Sequence, residues 1–383
     1  MMAMDAQDVR LMLGELAQFV RREVQPRIGP WERTMDAATL QQLLGSVAEL
    51  GLLPAADAHA LPGDAAGLWT PLDDGQATSL SLGLLRELAC GNAALALACH
   101  RRALLSWLLA ELGFVSDGAA PAIALHTLGH HGLARGSLGN WLGGESRLSG
   151  GDEAMLADWL DREDHSCQLW AESSWQRVLW PVWSEGAIQW ALVAAADLRV
   201  QASAAPHGLN ELSLSTVQLR GRQPPLLQSA LELQASRRLY GRVLKMELLG
   251  AMAMGLGVLQ RGRELARDFA AIRRQGGRVI DQHPAVQQML SEIDGSCRLV
   301  EQLLQGFARP LDEIGLADLV AARMASSDAL LQASHQVIQA YGGIGYMRDA
   351  GPEKLVRDQQ VLRQLAGGAQ ALPLFLHALR ELH

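Results

Sequence analysis

The chain has 383 residues, 49% hydrophobic and 19% charged, with a formal net charge of −8 and a pI near 5.8. That length corresponds to two or three domains with ample core, and the balance of apolar to charged residues is that of a folded globular protein. The acidic charge removes the basic field that nucleic-acid binding needs, the four scattered cysteines (Cys90, Cys99, Cys167, Cys297) form neither a disulfide framework nor a zinc set, and no run approaches the roughly 18 uninterrupted apolar residues of a membrane span. The first thirty residues carry Asp5, Asp8, Glu15 and Glu23 and no basic-then-apolar leader, so a cytoplasmic location is expected. One feature is uneven: all ten tryptophans precede residue 200, and Trp141, Trp159, Trp170, Trp175, Trp180 and Trp183 fall within 141–183.

In chain order, Leu11, Leu13, Leu16, Phe19 and Val20 recur at helical spacing, as do Leu40, Leu43, Leu44 and Val47, with Pro26 and Pro30 breaking the two stretches apart. After an Ala/Asp/Gly/Pro-rich loop (54–75), helix is predicted for Ser79–His100, where Leu84, Leu85, Leu88, Ala94 and Leu97 form a buried stripe, and for 102–113 and 121–134. The first third is thus expected to be all helical. From about 140 the texture changes. Cys167–Ala171, Arg177–Trp180, Ala187–Ala194 and Glu211–Leu219 are short, apolar or alternating, and bounded by Gly, Ser, Pro and His, which predicts strands. Leu212 and Leu214 are expected to share one face of the last strand, with Ser213 and Ser215 on the other. Helix is expected again over Leu226–Ile272, 281–308 with Asp281 as N-cap, Leu316–Tyr341, 353–366 and 370–382. The fold class is therefore mainly α with a small β middle domain: a helical N-domain (1–139), a β domain (140–225) and a C-terminal four-helix bundle (226–383).

Dinucleotide, P-loop and zincin motifs are absent. His130 and His131 are adjacent, so they occupy different faces of a helix, and no carboxylate stands at metal-ligand spacing from them; no metal is expected. The informative stretch is Gln339-Ala-Tyr-Gly-Gly-Ile-Gly-Tyr346 followed by Glu353-Lys-Leu-Val-Arg-Asp358. Its glycines at 342, 343 and 345 end a long helix and let backbone approach a ligand, because glycine adopts positive φ without penalty. Gln339, one turn earlier, can present its amide to the same ligand.

Together these segments resemble the C-terminal signature of the acyl-CoA dehydrogenase family. Leu85–Ala98 is similar to that family's N-domain helix, and Arg273-Arg-Gln-Gly-Gly277 followed by His283-Pro-Ala-Val stands where the family has Arg-x-x-Phe-Gly and His-Gln segments. The helical, β, helical order matches as well. The resemblance implies a flavoprotein built as a dimer of dimers, in which a carboxylate removes the α-proton of an acyl-CoA thioester while the β-hydride passes to FAD. Most members carry that carboxylate in a Glu-Gly-Thr segment after the Arg-Asp; here the stretch is Ala366-Gly367-Gly368. A minority place it on the first bundle helix, which by resemblance points to Glu247 as the candidate base, although Leu248 stands where the family usually has arginine. The apolar neighbours Leu244, Met246, Leu248 and Leu249 predict a raised pKa for Glu247 if it is buried in a cleft.

The same resemblance makes Arg273, Gln339, Gly342 and Gly343 candidates for holding the adenine and diphosphate end of FAD across a subunit interface. The family's middle-domain flavin segments are not recognisable, Gly368 replaces a usual threonine, Pro284 a glutamine and Gly276 a phenylalanine. Trp170, Trp175, Trp180 and Trp183 lie in this altered part, where a domain core is the leading expectation and flavin stacking the other. Two functions follow as expectations. The first is an FAD-dependent acyl-CoA dehydrogenase subunit in a homo- or hetero-tetramer, passing electrons to an electron-transfer flavoprotein, with a bulky acyl group such as a steroid side chain among its substrates. The second is a non-catalytic partner of the same fold that completes the FAD site of another subunit; a flavin oxidase or monooxygenase is a third reading.

Overall fold

The computed structural model describes residues 6–28, 35–53, 67–114, 122–123, 136–143, 149–161, 166–172, 175–203, 206–221 and 230–380. The N-terminal part supplies helices α1 (Ala6–Phe19), α2 (Ala37–Glu49), α3 (Gly75–Gly91) and α4 (Ala93–Glu111). Asn92 separates the last two. Its extended backbone ends α3, and its side chain accepts the Leu95 N–H at 2.8 Å to start α4. Past Phe19 the chain widens into a π turn over Val20–Val24 and then tightens into a 3-10 turn over Gln25–Ile28. Two expectations are corrected beyond this point. Ala122–Ile123 is a short strand, β1, so the first third is not wholly helical, while the rest of the 121–134 stretch, with His130 and His131, lies outside the described residues. Two helices, α5 (Ser137–Gly143) and α6 (Gly150–Asp161), precede the main strands, so sheet structure resumes at Ser166 rather than near 140.

The strands are β2 (Ser166–Ala171), β3 (Arg177–Ser184), β4 (Ala187–Ala194), β5 (Leu198–Ala202) and β6 (Ser213–Leu219). They form two three-stranded sheets: β1-β3-β4, with β1 parallel to β3, and the antiparallel β2-β6-β5. Val178, Trp180, Val182, Ala191 and Val193 join Leu169, Leu198, Val217 and Leu219 in a small core between the sheets. The other face of β3-β4, with Leu179, Trp183, Ile188 and Trp190, packs into the main helical core. Both faces of these strands are covered, which is why they read as continuous apolar runs. On β6 Leu214 and Ser215 stand on opposite faces as expected: Ser215, Val217 and Leu219 point inward, Leu214 faces a cavity, and Leu212 precedes the strand.

The C-terminal part opens with α7 (Leu233–Ile272), 40 residues long, followed by the hairpin β7–β8 (Arg274–Gln275, Arg278–Val279), α8 (Pro284–Gly306), α9 (Leu316–Tyr341), α10 (Pro352–Gln364) and α11 (Gly368–Arg380). Asp281 sits in a 3-10 turn, so His283 rather than Asp281 occupies the N-cap of α8, with Pro284 at the first helical position. α7 is the central strut, packed on α8, α9 and α10 and on the N-terminal α3 and α4. Its approach to α3 is backbone-close: a Cβ on Gly257 would collide with the Arg86 carbonyl. α4 and α7 are long and apolar enough to cross a membrane by length and composition, but 78% and 89% of their most apolar windows are buried inside the fold, as in core helices.

Candidate functional site

Glu247 lies on the face of α7 turned toward α4 and is 4% exposed. His100 Nε2 is 3.0 Å from its Oε1, and Arg101 Nη2 is 2.9 Å from its Oε2, so both carboxylate oxygens are engaged. On the far side of the imidazole the Trp69 indole N–H donates to His100 Nδ1 at 2.9 Å. Gly250, one turn along α7, leaves the space the ring occupies, since a Cβ there would stand 2.7 Å from His100 Cε1. The expected rise in the Glu247 pKa is corrected. Burial does push it up, but the charge of Arg101 and the electrostatic and hydrogen-bonding interactions of His100 together outweigh burial, so the carboxyl is held below its ordinary value. Nothing in the residues around 247 reveals this, because the partners come from a segment some 150 positions away. The one sequence signal is the polar pair His100-Arg101, which closes the apolar run Ala93–Cys99.

A cavity of about 490 Å³ lies between the β2-β6-β5 sheet and the bundle, in the range of small-molecule sites. Gln168, Trp170 and Leu214 line it from the sheet, His207 from the preceding loop, and Gln360 and Gln364 from α10; Glu247 does not. At its rim the chain turns from α10 into α11 through three consecutive residues with positive φ: Ala366 (58°), Gly367 (97°) and Gly368 (62°). An alanine in that conformation costs about 1–2 kcal/mol. The turn is held by Arg323, buried on α9, whose Nη2 donates to the Leu362 and Leu365 carbonyls at 2.6 and 3.3 Å and whose Nη1 donates to Ser327 Oγ. The cation thereby meets the carbonyl end of α10. Burial, with repulsion from Arg363, brings its pKa down to about 10. Of the tryptophans set against flavin stacking, Trp180 and Trp183 are core residues, Trp175 packs partly buried against the sheet core, and Trp170 lines this cavity.

The Glu353–Asp358 segment works as a clamp between domains. Lys354 is 3.2 Å from Glu211 Oε1 and 2.8 Å from Asp358 Oδ2, all three side chains being almost fully buried. Asn92 at the start of α4 donates to Glu211 at 3.0 Å, and the Leu209 N–H donates to Asp358 at 2.7 Å. Arg357 grips Glu353 and also donates to the His207 carbonyl and Asn210 Oδ1. Gly208 is obligatory in this clamp, because a Cβ there would strike the Arg357 carbonyl. Glu211 and Asn92 escaped the sequence reading: a buried acid is legible only once its lysine is seen beside it.

The candidate cofactor residues gather at the far end of the bundle. Phe269 stacks on Tyr341 with ring centroids 4.1 Å apart, and the Tyr341 hydroxyl donates to the Leu265 carbonyl, which fastens the C-terminal ends of α7 and α9 together. Arg273 follows Phe269 by one turn and is exposed. Gln339 precedes Tyr341, is exposed, and donates from Nε2 to the Tyr346 hydroxyl at 3.1 Å. Gly342 ends α9 at φ 66°, and a Cβ on Gly342 or Gly343 would meet nothing within 4 Å. Gly345 differs: it is buried, with the Ile338 carbonyl 2.6 Å from where its Cβ would be. An exposed guanidinium, an amide and open glycine backbone are a donor set that fits a diphosphate approaching from outside. Among the described residues no group of three or more His, Cys, Asp or Glu side chains could hold a metal ion.

Residues 238–374 match the profile of the acyl-CoA dehydrogenase C-terminal domain. That stretch, the C-terminal bundle, is thus similar to the C-terminal domain of acyl-CoA dehydrogenases. It is 29% identical over 125 residues to a 3-sulfinopropanoyl-CoA desulfinase of Paraburkholderia xenovorans, covering 32% of each chain, and 31% identical over 122 residues to an acyl-CoA dehydrogenase of Bacillus subtilis, covering 31% of this chain and 32% of that one. These matches span about a third of the length of the curated relatives. The fold likeness is wider. The glutaryl-coenzyme A dehydrogenase complex with glutaryl-CoA superposes over 98% of this chain and 96% of its own with a TM-score of 0.70 at 14% identity. For butyryl-CoA dehydrogenase of Megasphaera elsdenii the figures are 98%, 99%, 0.67 and 14%.

Proposed function

We propose that this chain is a subunit of an FAD-dependent acyl-CoA dehydrogenase, acting on an acyl-CoA thioester with Glu247 as the base. The observation that carries this reading is the state of Glu247. Of the three buried carboxylates among the described residues, Glu211 and Asp358 are tied up with Lys354, whereas Glu247 is kept ionised by Arg101 and His100, as a proton acceptor must be. Arg273, Gln339 and the backbone of Gly342 and Gly343 would hold the diphosphate end of FAD, with the cavity beside Trp170, Gln360 and Gln364 as the space for a planar ring. FAD, when bound, supplies the acceptor for the β-hydride; an electron-transfer flavoprotein is the expected reoxidant. Glu247 Oε2 takes the α-proton once Arg101, the more exposed of its two partners at 18%, withdraws. The acyl group proposed is a bulky one, such as a steroid side chain; the space beside Gly250 and Gly91 is taken by His100 and Val20 and serves close helix packing. The proposed assembly is a dimer of dimers in the cytoplasm, with like or unlike partners.

Glu247→Gln in the flavin-loaded assembly should abolish acyl-CoA-dependent flavin reduction, read as bleaching of the flavin absorbance under anaerobic conditions. An unchanged rate would refute the assignment. A second reading is favoured by one observation: Glu247 lies outside the cavity, with both oxygens engaged. The chain would then be a non-catalytic partner that lends Arg273 and the glycine end of α9 to another subunit's FAD. On that reading a colourless chain turns yellow only when co-expressed with an unlike partner, and E247Q leaves flavin reduction intact.

A further inference from the structure

The geometry around Glu247 points to a positioning role for Trp69, which fixes His100 as the neutral Nε2–H tautomer so that the imidazole delivers one hydrogen bond to the base and no charge. An indole N–H can only donate, so His100 Nδ1, 2.9 Å away, must accept and carries no proton. The proton of the neutral ring is therefore on Nε2, where it donates to Glu247 Oε1 at 3.0 Å. Protonating Nδ1 would set two N–H groups against each other in a site where His100 and Trp69 are each 1% exposed.

The arrangement is built rather than incidental. Trp69 is a bulky residue at φ 63°, in the left-handed region that such side chains rarely enter. Its amide is pinned there by the fully buried Ser81 Oγ at 2.8 Å. The ring contact with His100 is edge-on at 5.7 Å between centroids, which aims the indole N–H at the imidazole edge. Gly250 supplies the slot for the ring. Backbone strain at a residue whose side chain orients a buried dyad is the pattern of a constrained functional site.

Two consequences follow for the base, and both rest on the role proposed above for Glu247. With His100 held as this neutral tautomer, the Arg101 guanidinium is the ion-pair partner of Oε2, and its departure frees that oxygen. The His100 bond to Oε1 survives proton transfer and holds the carboxyl plane throughout. The charged and titratable groups near His100 are Glu247 on α7, Arg101 on its own helix and the Cys167 thiol of β2 near Arg101; the Arg102–Glu172 pair lies further round α4.

The test uses the full chain labelled with ¹⁵N-histidine, alone and in its flavin-loaded assembly, with His100 assigned from the signal lost in H100Q. Long-range ¹H–¹⁵N correlation should show His100 as Nε2–H, with Nδ1 shifted by its hydrogen bond from Trp69. Trp69→Phe keeps the ring but removes the donor. The His100 Nδ1 resonance should then move downfield to that of an unbonded acceptor nitrogen, and flavin reduction should fall as the ring loses its anchor. A His100 that is Nδ1–H in the parent, or a W69F chain whose Nδ1 resonance and rate of flavin reduction match the parent, overturns the inference. Glu247→Gln separates the two claims. Its amide oxygen still accepts from Nε2–H, so the tautomer persists there while flavin reduction reports on the base.

Discussion

Replacing Lys354 with methionine keeps most of the side-chain volume and removes the cation between two buried carboxylates. Glu211 and Asp358 lie 3.2 and 2.8 Å from Lys354 Nζ, and the three side chains are at most 3% exposed. Their remaining partners, the Asn92 amide on Glu211 and the Leu209 N–H on Asp358, supply hydrogen bonds but no charge. Breaking a buried pair by removing one partner costs roughly 3–5 kcal/mol, because the other charge is left uncompensated. Here two acids lose the same partner, so the upper half of that range is expected. The loss should appear as a lower midpoint in urea unfolding followed by tryptophan fluorescence. Arg238→Ala is the control: its side chain is 65% exposed, its partner Asp312 keeps Arg242, and the cost should stay below about 1 kcal/mol. If Lys354→Met costs no more than that control, the clamp does not hold the β domain to the bundle and the reasoning fails.

The same lysine sets an alkaline limit. Burial lowers its pKa, but Asp358 and Glu211 outweigh burial, so the folded value lies above the ordinary one. A cation with a raised folded pKa stabilises fully below its unfolded value, about 10.4, and that stability fades as pH rises through the folded value; the parent, unlike K354M, should lose this increment above about pH 10.5 in urea titrations. Glu247 works in the opposite direction. Its folded pKa is depressed, so its contribution is present above the unfolded value of about 4.3 and is lost as pH falls through the folded one; E247Q should remove part of the acid-side slope below about pH 4.5. Gly257→Ala drives a methyl into the Arg86 carbonyl, a backbone atom that cannot rotate away. It should separate α3 from α7 and lower stability by about 1–3 kcal/mol, read by thermal unfolding.

Periodicity and breakers alone determined the long elements. Leu316–Tyr341 and Ala187–Ala194 fall where the spacing puts them, and the C-terminal bundle with its glycine-ended helix was legible from local pattern, since helix and turn preferences act over a few residues. Glu247 was singled out as a candidate base by the resemblance alone. Tertiary structure decided the chemistry around these positions. The pKa direction at Glu247 reversed because Arg101 and His100 arrive from another helix, and electrostatics follows distance in space, not along the chain. Glu353–Asp358 reads only as part of a family signature; its role as a clamp appears in the fold, because its acid partner Glu211 comes from the loop before β6. Which face of β6 turns inward was likewise decided by packing: the small core beneath it accepts Val217 and Leu219, a choice that an alternating strand leaves to whatever packs against it.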